Sequence, residues 1–259
     1  MNSIPNLIIL KIGGSYLTEK NRVDGPPVLE NIHVFSKCLA QFIHSHPKQP
    51  IILAHGAGSF GHVPAAKYHL AEGFHKTGVI ECEMAMQELS SVIVNSLIKE
   101  GVSAIPFHPF NFVVTENKRI VDMYLQPLQM MINQGIIPVV HGDIAMDIIQ
   151  GSCILSADQL VPELAIRFGC SRIGFICNTP VLNDKGEVIP LINEQNYDSI
   201  KKFLHGCKGV DVTGGMAGKI SELMIAAKKH MIQSYVFEGT KECLELFLEG
   251  NDVGTKVCQ

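Results

Sequence analysis

Short apolar runs alternate with longer amphipathic segments along the 259-residue chain. The apolar runs are four to six residues long and are bounded by glycine or polar residues, which is typical of strands covered on both faces. They predict strands at residues 7–10, 51–54, 103–107, 136–141, 172–177 and 234–239. Helical periodicity between them predicts helices at residues 28–46, 79–100, 122–134, 157–168, 194–204, 217–230 and 240–249.

This alternation predicts an α/β fold with a mainly parallel sheet and helices on both of its faces. The chain contains no internal repeat, low-complexity tract or linker, so residues 1–259 are expected to form one domain. A change of lobe is expected near residues 150–180. We also expect a turn or small hairpin at 183–193 and a glycine-punctuated loop at 206–215 that leads into a helix.

Composition and charge narrow the possible partners. The net charge of −4 and the isoelectric point near 6.2 give no electrostatic reason to expect nucleic acid or an acidic membrane surface. Eight scattered cysteines without a C-x-x-C pair predict reduced thiols rather than a disulfide scaffold or a metal site. The first residues lack a basic signal-peptide region, and no apolar run approaches the ~20 residues of a membrane helix. We therefore expect a cytoplasmic protein.

Glycine-rich segments follow the predicted strands. They are KIGGS at 11–15, HGAGSFGH at 55–62, HGD at 141–143 and DVTGGMAGK at 211–219. Glycine lets backbone N–H groups approach an anion closely, and helix N-termini and lysines add positive charge. Because ligands of open parallel sheets bind beyond the carboxyl ends of the strands, these segments predict a site for more than one phosphate.

The standard nucleotide motifs do not account for this pattern. G-x-x-x-x-G-K-[ST] is absent, so the chain is not a P-loop protein. Gly56, Gly58 and Gly61 spell G-x-G-x-x-G, but they follow the second predicted strand and the stretch at 76–82 begins a helix. A dinucleotide enzyme expects this motif after its first strand and an acidic residue about 20 residues further on, so it is the disfavoured alternative.

The segments KIGGSYLTEK, HGAGSFGH, IPVVHGDIAMD and DVTGGMAGK, in this order, resemble the amino acid kinase superfamily, and within it the isopentenyl phosphate kinases. The resemblance runs from about Leu7 to Gly239. The histidine that closes the second segment is similar to that of the branch containing isopentenyl phosphate and fosfomycin kinases. The resemblance implies a three-layer αβα sandwich with an open, mainly parallel central sheet, usually a homodimer. It also implies an acceptor lobe at about 1–155 and a nucleotide lobe at about 156–259.

The implied reaction is ATP-dependent phosphorylation of isopentenyl phosphate to isopentenyl diphosphate, in isoprenoid biosynthesis, with Mg²⁺. The catalytic residues carried over by motif are Lys11, Lys20, Lys219, His62 and Asp158. Those implied for the acceptor are Gly56, Gly61, His62 and Gly142. Those implied for ATP are Lys11, Gly13, Gly14, Ser15, Ala57, Gly58, Asn178, Gly214, Gly215 and Lys219. The resemblance implies no metal held by protein side chains alone.

A phosphate-monoester acceptor needs no general base, because its second pKa is about 6 and it is already anionic near neutral pH. Lysines, backbone donors and Mg²⁺ would offset the repulsion between the two polyanions. His62 is then expected to donate to phosphate rather than to accept a proton.

Three positions depart from the superfamily pattern: Ala57 replaces glycine, Gln159 replaces an acidic residue, and Cys177–Pro180 replaces a stretch that lines the nucleotide. They leave two alternatives open, a phosphonate kinase and a kinase-derived binding protein.

Overall fold

The computed structural model describes residues 3–19, 25–204 and 215–259. Lys20, Gly214 and most of the glycine-punctuated loop at 206–215 lie outside the described residues, so the predictions made for them stay predictions. No helix in the three described ranges is both long enough and apolar enough to cross a membrane.

The described ranges contain strands and helices in alternation. The strands are β1 (Ile8–Ile12), β2 (Ile51–His55), β3 (Ala104–Pro106), β4 (Val113–Glu116), β5 (Arg119–Met123), β6 (Ile137–His141), β7 (Asp143–Asp147), β8 (Gly151–Leu155), β9 (Arg172–Cys177), β10 (Leu191–Ile192), β11 (Gln233–Glu238) and β12 (Thr255–Val257). The helices are α1 (Gly14–Leu17), α2 (Leu29–Ser45), α3 (Gly58–Lys67), α4 (Lys76–Lys99), α5 (Gln126–Asn133), α6 (Ala157–Phe168), α7 (Tyr197–Ile200), α8 (Gly215–His230) and α9 (Lys241–Leu248). Single 3₁₀ turns occupy Pro109–Asn111 and Lys201–Phe203.

Eight strands form one large sheet in the order β10-β12-β11-β9-β1-β2-β6-β3. Every neighbouring pair is parallel except β11 and β12. The predicted mainly parallel sheet is therefore confirmed. Because β1 lies between β9 and β2, the carboxyl ends of these strands and of β6 are neighbours at one edge.

Helices cover both faces of this sheet, as predicted. Successive residues of β1 point to opposite faces, so Ile9 packs with α5, α6 and α8 while Leu10 packs with α2, α4 and α9. Both side chains are fully buried. The chain thus has the three-layer αβα architecture that the resemblance implied.

A second, four-stranded sheet in the order β5-β4-β7-β8 was not predicted from the sequence. Its strands lack a continuous apolar run; β4, for example, alternates buried and exposed residues. The helix expected at 122–134 begins only at Gln126, with Pro127 in its first turn, because residues 119–123 form β5. The helix expected at 194–204 is reduced to α7 and the following 3₁₀ turn.

Candidate active site

A cavity of about 440 Å³ opens at the carboxyl edge of the large sheet. Its walls come from the ends of β1, β2, β6 and β9, from the first turns of α3, α6 and α8, and from α4, β7 and β8. The lining residues include Lys11, Gly13, Gly14, Ser15, Gly56, Ala57, Gly58, Gly61, His62, Gly142, Asp158, Asn178, Gly215 and Lys219. The structure therefore brings together every predicted site residue that lies within the described ranges.

A charged centre, formed by Lys11, Asp158 and Lys219, occupies one side of the cavity. The Lys11 Nζ lies 2.8 Å from Asp158 Oδ1, and the Lys219 Nζ lies 2.7 Å from the same oxygen. All three residues are buried. Asp158 reaches this position from the first turn of α6, where the Ser156 hydroxyl accepts a hydrogen bond from its backbone N–H.

Burial and ion pairing shift the pKa values of the charged centre in opposite directions. Burial alone would raise the pKa of Asp158, but the Lys11 and Lys219 ammonium groups outweigh it and hold that pKa well below its usual range. Burial lowers the pKa of Lys11, and Lys219 adds to this. At Lys219 the Asp158 carboxylate overcomes burial and raises the pKa. Two ammonium groups face one carboxylate, so the charged centre presents positive charge that phosphate oxygens could neutralise.

The glycine turns after β1 and β2 touch backbone to backbone. A Cβ on Gly14 would lie 2.4 Å from the Gly58 nitrogen, and a Cβ on Gly56 would lie 2.6 Å from the Gly14 nitrogen. Gly58 begins α3 with a φ of +53°, which favours glycine. Ala57 has a φ of −72°, so alanine in place of the superfamily's glycine is unstrained. The segment HGAGSFGH was expected to be a loop, but its second half forms the first turn of α3.

The other end of the cavity is apolar. Gly61 allows α3 to pack closely on α4, since a Cβ there would lie 3.0 Å from the Met86 sulfur. Beyond Gly61 and His62 the wall includes Ala65, Cys82, Met86, Ile144 and Ile154. Asp143 also belongs to the lining, but its carboxyl group is buried and accepts from the Phe110 and Ile144 N–H groups. Sequence reasoning missed Ile144 and Ile154, because they belong to the unpredicted second sheet. The sequence does show an apolar stripe on α4, and Met86 belongs to it, while Met84 of the same stripe is exposed.

The nucleotide half of the predicted site lies beside Lys219. The Asn178 Nδ2 donates to the Ser15 carbonyl over 3.2 Å, and this bond joins the end of β9 to α1. Cys177, Thr179 and Gly215 line the cavity next to it. The described ranges hold no group of three His, Cys, Asp or Glu side chains that could bind a metal ion.

The site combines glycine turns, a helix N-terminus and buried ammonium groups at the carboxyl edge of a parallel sheet. This combination is typical of α/β proteins that bind phosphoryl groups. Residues 6–238 match the sequence pattern of the amino acid kinase family. The chain belongs to the amino acid kinase family, and the predicted phosphotransferase class is confirmed.

Curated relatives are similar over nearly the whole chain. Isopentenyl phosphate kinase from Methanocaldococcus jannaschii is 32% identical over 91% of this chain and 92% of its own length. The Haloferax volcanii protein of the same name is 32% identical, with coverage of 97% and 98%.

Solved structures show the same fold. An X-ray structure of an isopentenyl phosphate kinase superposes with a TM-score of 0.80 and 24% identity, covering 97% of this chain and 99% of that one. A carbamate kinase from Giardia superposes with a TM-score of 0.71 and 10% identity, with 99% of each chain covered.

Proposed function

We propose that the chain is an ATP-dependent kinase that converts isopentenyl phosphate to isopentenyl diphosphate in isoprenoid biosynthesis. The observation that carries this proposal is the polarity of the cavity, whose buried ammonium groups lie at one end and whose apolar wall lies at the other. An acceptor with a phosphate head and a short hydrocarbon tail matches both ends. The relatives named isopentenyl phosphate kinase support the same acceptor.

The acceptor phosphate would lie against Gly56, Gly61, His62 and Gly142, with its tail beside Met86. Its anionic oxygen would attack the terminal phosphorus of ATP directly, because a phosphate monoester needs no general base. His62 would donate a hydrogen bond to the acceptor, which holds the attacking oxygen in place.

ATP would bind in the C-terminal lobe, at about 156–259, and the acceptor in the N-terminal lobe, at about 1–155. The ATP phosphates would contact Lys11, Lys219 and the backbone N–H groups of the glycine turns. These groups would stabilise the negative charge on the migrating phosphoryl group. Asp158 would act as a positioning residue, because its carboxylate holds both ammonium groups. Lys20, which stands at the place of the second N-terminal lysine of the family motif, would stabilise the transition state.

Mg²⁺ fits this site as an ion carried by the nucleotide. Mg²⁺ in proteins usually keeps several waters and binds through one or two carboxylates plus substrate phosphates. The described residues provide no three-ligand protein cluster, and Asp158 is a carboxylate within the cavity that could take part. The ion would neutralise charge on the ATP phosphates.

We further propose a cytoplasmic homodimer. The exposed side chains of Ile80, Met84 and Ile98 fall on one face of α4, which supports an interface between two copies. Free cysteines throughout the described residues fit a reducing compartment. Sedimentation equilibrium of the protein and of Met84→Glu tests the dimer, since the charge should dissociate it.

An acceptor panel tests the function. The protein is incubated with ATP and Mg²⁺ together with isopentenyl phosphate, a longer prenyl phosphate or fosfomycin, and products are followed by phosphorus NMR. We expect the highest kcat/KM for isopentenyl phosphate. Faster turnover of fosfomycin would instead support the phosphonate kinase. Acceptor binding without ATP binding, measured by calorimetry, would support a binding protein.

A further inference from the structure

Three histidines form a connected group behind the phosphate-binding turns. His55 ends β2, His141 ends β6, and His108 follows β3. The rings of His55 and His141 lie 5.1 Å apart between centroids, and the His141 Nε2 lies 2.8 Å from the His108 Nδ1. His55 and His141 are completely buried, so neither ring can reach a ligand directly.

The acceptor atoms in this group fix the tautomers. The Gly56 carbonyl can only accept, so the His55 Nδ1 at 3.1 Å must carry the hydrogen. By the same argument the His141 Nδ1 donates to the Gly142 carbonyl at 3.0 Å. The Nε2 of neutral His141 then accepts from the His108 Nδ1.

Burial keeps the two inner rings neutral. It lowers the pKa of His55 to about 4, and nearby His108 and Lys11 oppose protonation further. It lowers the pKa of His141 to about 3, with the neighbouring His55 adding to the shift. Both rings therefore keep one N–H donor and one acceptor nitrogen across the physiological pH range.

The bond from His55 determines the direction of an amide. In a trans peptide the C=O and the following N–H point in opposite directions. The Gly56 carbonyl points to the buried His55 ring, so the Ala57 N–H points in the opposite direction, away from that ring. Ala57 itself lines the cavity in which phosphate oxygens would lie.

The hydrogen bond from His55 matters because Gly56 has no side chain that would restrain its backbone. Glycine is required there, since a Cβ would lie 2.6 Å from the Gly14 nitrogen, but glycine also lets the peptide after it rotate. The Gly56 N–H is bound to the Ile12 carbonyl at 2.8 Å. The peptide before Gly56 is thus held by β1, and the Gly56–Ala57 peptide after it is held by His55.

We infer that His55 is a positioning residue, whose Nδ1–H fixes the Gly56–Ala57 peptide so that the Ala57 N–H faces the transferring phosphoryl group. His141 and His108 support it: the His141 ring packs on His55, and the Gly142 N–H donates to the His55 carbonyl at 2.9 Å. This inference rests on the proposed kinase function, and it adds a residue that never touches the substrate.

Three substitutions at His55 separate positioning from packing. Asparagine places an amide N–H near the position of Nδ1, glutamine places it near Nε2, and leucine removes it. We expect His55→Asn to retain most of kcat. His55→Gln and His55→Leu should lose about tenfold to a hundredfold in kcat, with smaller changes in either KM, because a donor aimed at developing charge acts mainly in the transition state. Equal kcat losses in all three variants, or none in any, would overturn the inference.

A second measurement, made on the unaltered protein, tests the inference even if the His55 variants fail to fold. Long-range ¹H–¹⁵N NMR of the histidine rings, with each ring assigned by through-bond correlation to its own backbone, should show the Nδ1–H tautomer for His55 and His141. The Nε2–H tautomer at His55 would contradict the inference. If the unaltered protein turns over no acceptor, the kinase proposal fails, while the tautomer measurement still tests the bond to Gly56.

Discussion

The charged centre and the segment HGAGSFGH at 55–62 face the same cavity but are built in different ways. The charged centre joins three side chains from distant parts of the chain, and Lys11 and Asp158 are 147 positions apart in the sequence. The segment at 55–62 is a single short stretch that lines the cavity mainly with glycine and alanine, which place backbone rather than long side chains against it. The charge at this site therefore depends on the tertiary fold, whereas the close approach of the backbone depends on glycines that are neighbours in the sequence.

Removing the shared carboxylate should break the charged centre. Asp158→Asn leaves two buried ammonium groups without a counter-charge, and breaking a buried ion pair in this way costs about 3–5 kcal/mol. We expect that loss in the free energy of unfolding, from denaturant titration, and a fall in kcat of at least about 10³-fold, because both lysines lose their positions. Glu163→Gln, which opens an exposed ion pair with Arg167 on the same helix, is the control and should change little.

The pH dependence of stability sharpens this prediction. The pKa of Asp158 is lowered in the folded protein, so its contribution is present above its unfolded value of about 3.9 and is lost as pH falls below that. The difference in free energy of unfolding between the unaltered protein and Asp158→Asn should therefore shrink in acid. A difference that stays constant down to pH 2 would contradict the assignment.

A methyl group added at Gly56 should push apart the glycine turns that follow β1 and β2. Gly56→Ala places a Cβ 2.6 Å from the Gly14 nitrogen, and overpacking of this kind costs about 1–3 kcal/mol. Gly142→Ala is the matched comparison for stability alone, because its nearest atom, the Ala157 nitrogen, would lie 3.2 Å away and Gly142 itself belongs to the proposed acceptor site. Thermal unfolding should show a larger drop for Gly56→Ala, together with loss of phosphate binding in calorimetry. Equal effects of the two variants would mean that the turns are not in backbone contact.

The buried Asp143 carboxyl group, with Glu83 as its acidic neighbour, predicts instability in alkali. Burial first, and then the neighbouring Glu83 carboxyl group, raise the pKa of Asp143 well above its usual value. The contribution of a raised acid is full below its unfolded pKa and is lost as pH rises through its folded pKa. We expect stability to fall toward high pH by about 1 kcal/mol more in the unaltered protein than in Glu83→Gln. Glu88→Gln, an exposed change on the same helix, should follow the unaltered protein.

The parts predicted from the sequence and the parts missed differ for a physical reason. Strands such as β1 and β2 were found because burial on both faces leaves continuous apolar runs. Strands such as β7 (DIAMD) and β8 (GSCIL) are only five residues long and begin or end with polar residues or glycine, so their apolar runs are three residues at most and do not mark them. The glycine turns were visible as motifs. The pairing of Asp158 with Lys11 came from the family resemblance, and no local pattern indicated that His55, His108 and His141 meet.

The ion pair between Arg119 and Glu222 lies on the surface. Breaking it would test whether contacts outside the cavity help to stabilise the charged centre. Arg119 on β5 donates from both terminal nitrogens to Glu222, at 2.6 and 3.0 Å. Glu222 follows Lys219 by one turn of α8. Nearby, the Gln159 side chain accepts from the Ile120 N–H and donates to the Lys118 carbonyl, which gives this departure from the superfamily a role in holding the hairpin of β4 and β5 against α6.

We expect the smallest effect from breaking this pair. Arg119 is about half exposed, and exposed pairs contribute about 0.2–1 kcal/mol. A double-mutant cycle of Arg119→Ala and Glu222→Ala should give a coupling in that range in denaturant titrations, and it should weaken at high salt. If α8 needs the pair to hold Lys219, the single variants should also raise the KM for ATP while leaving that for the acceptor unchanged. Coupling in stability without any change in KM would show that the charged centre is held by Asp158 and the core alone.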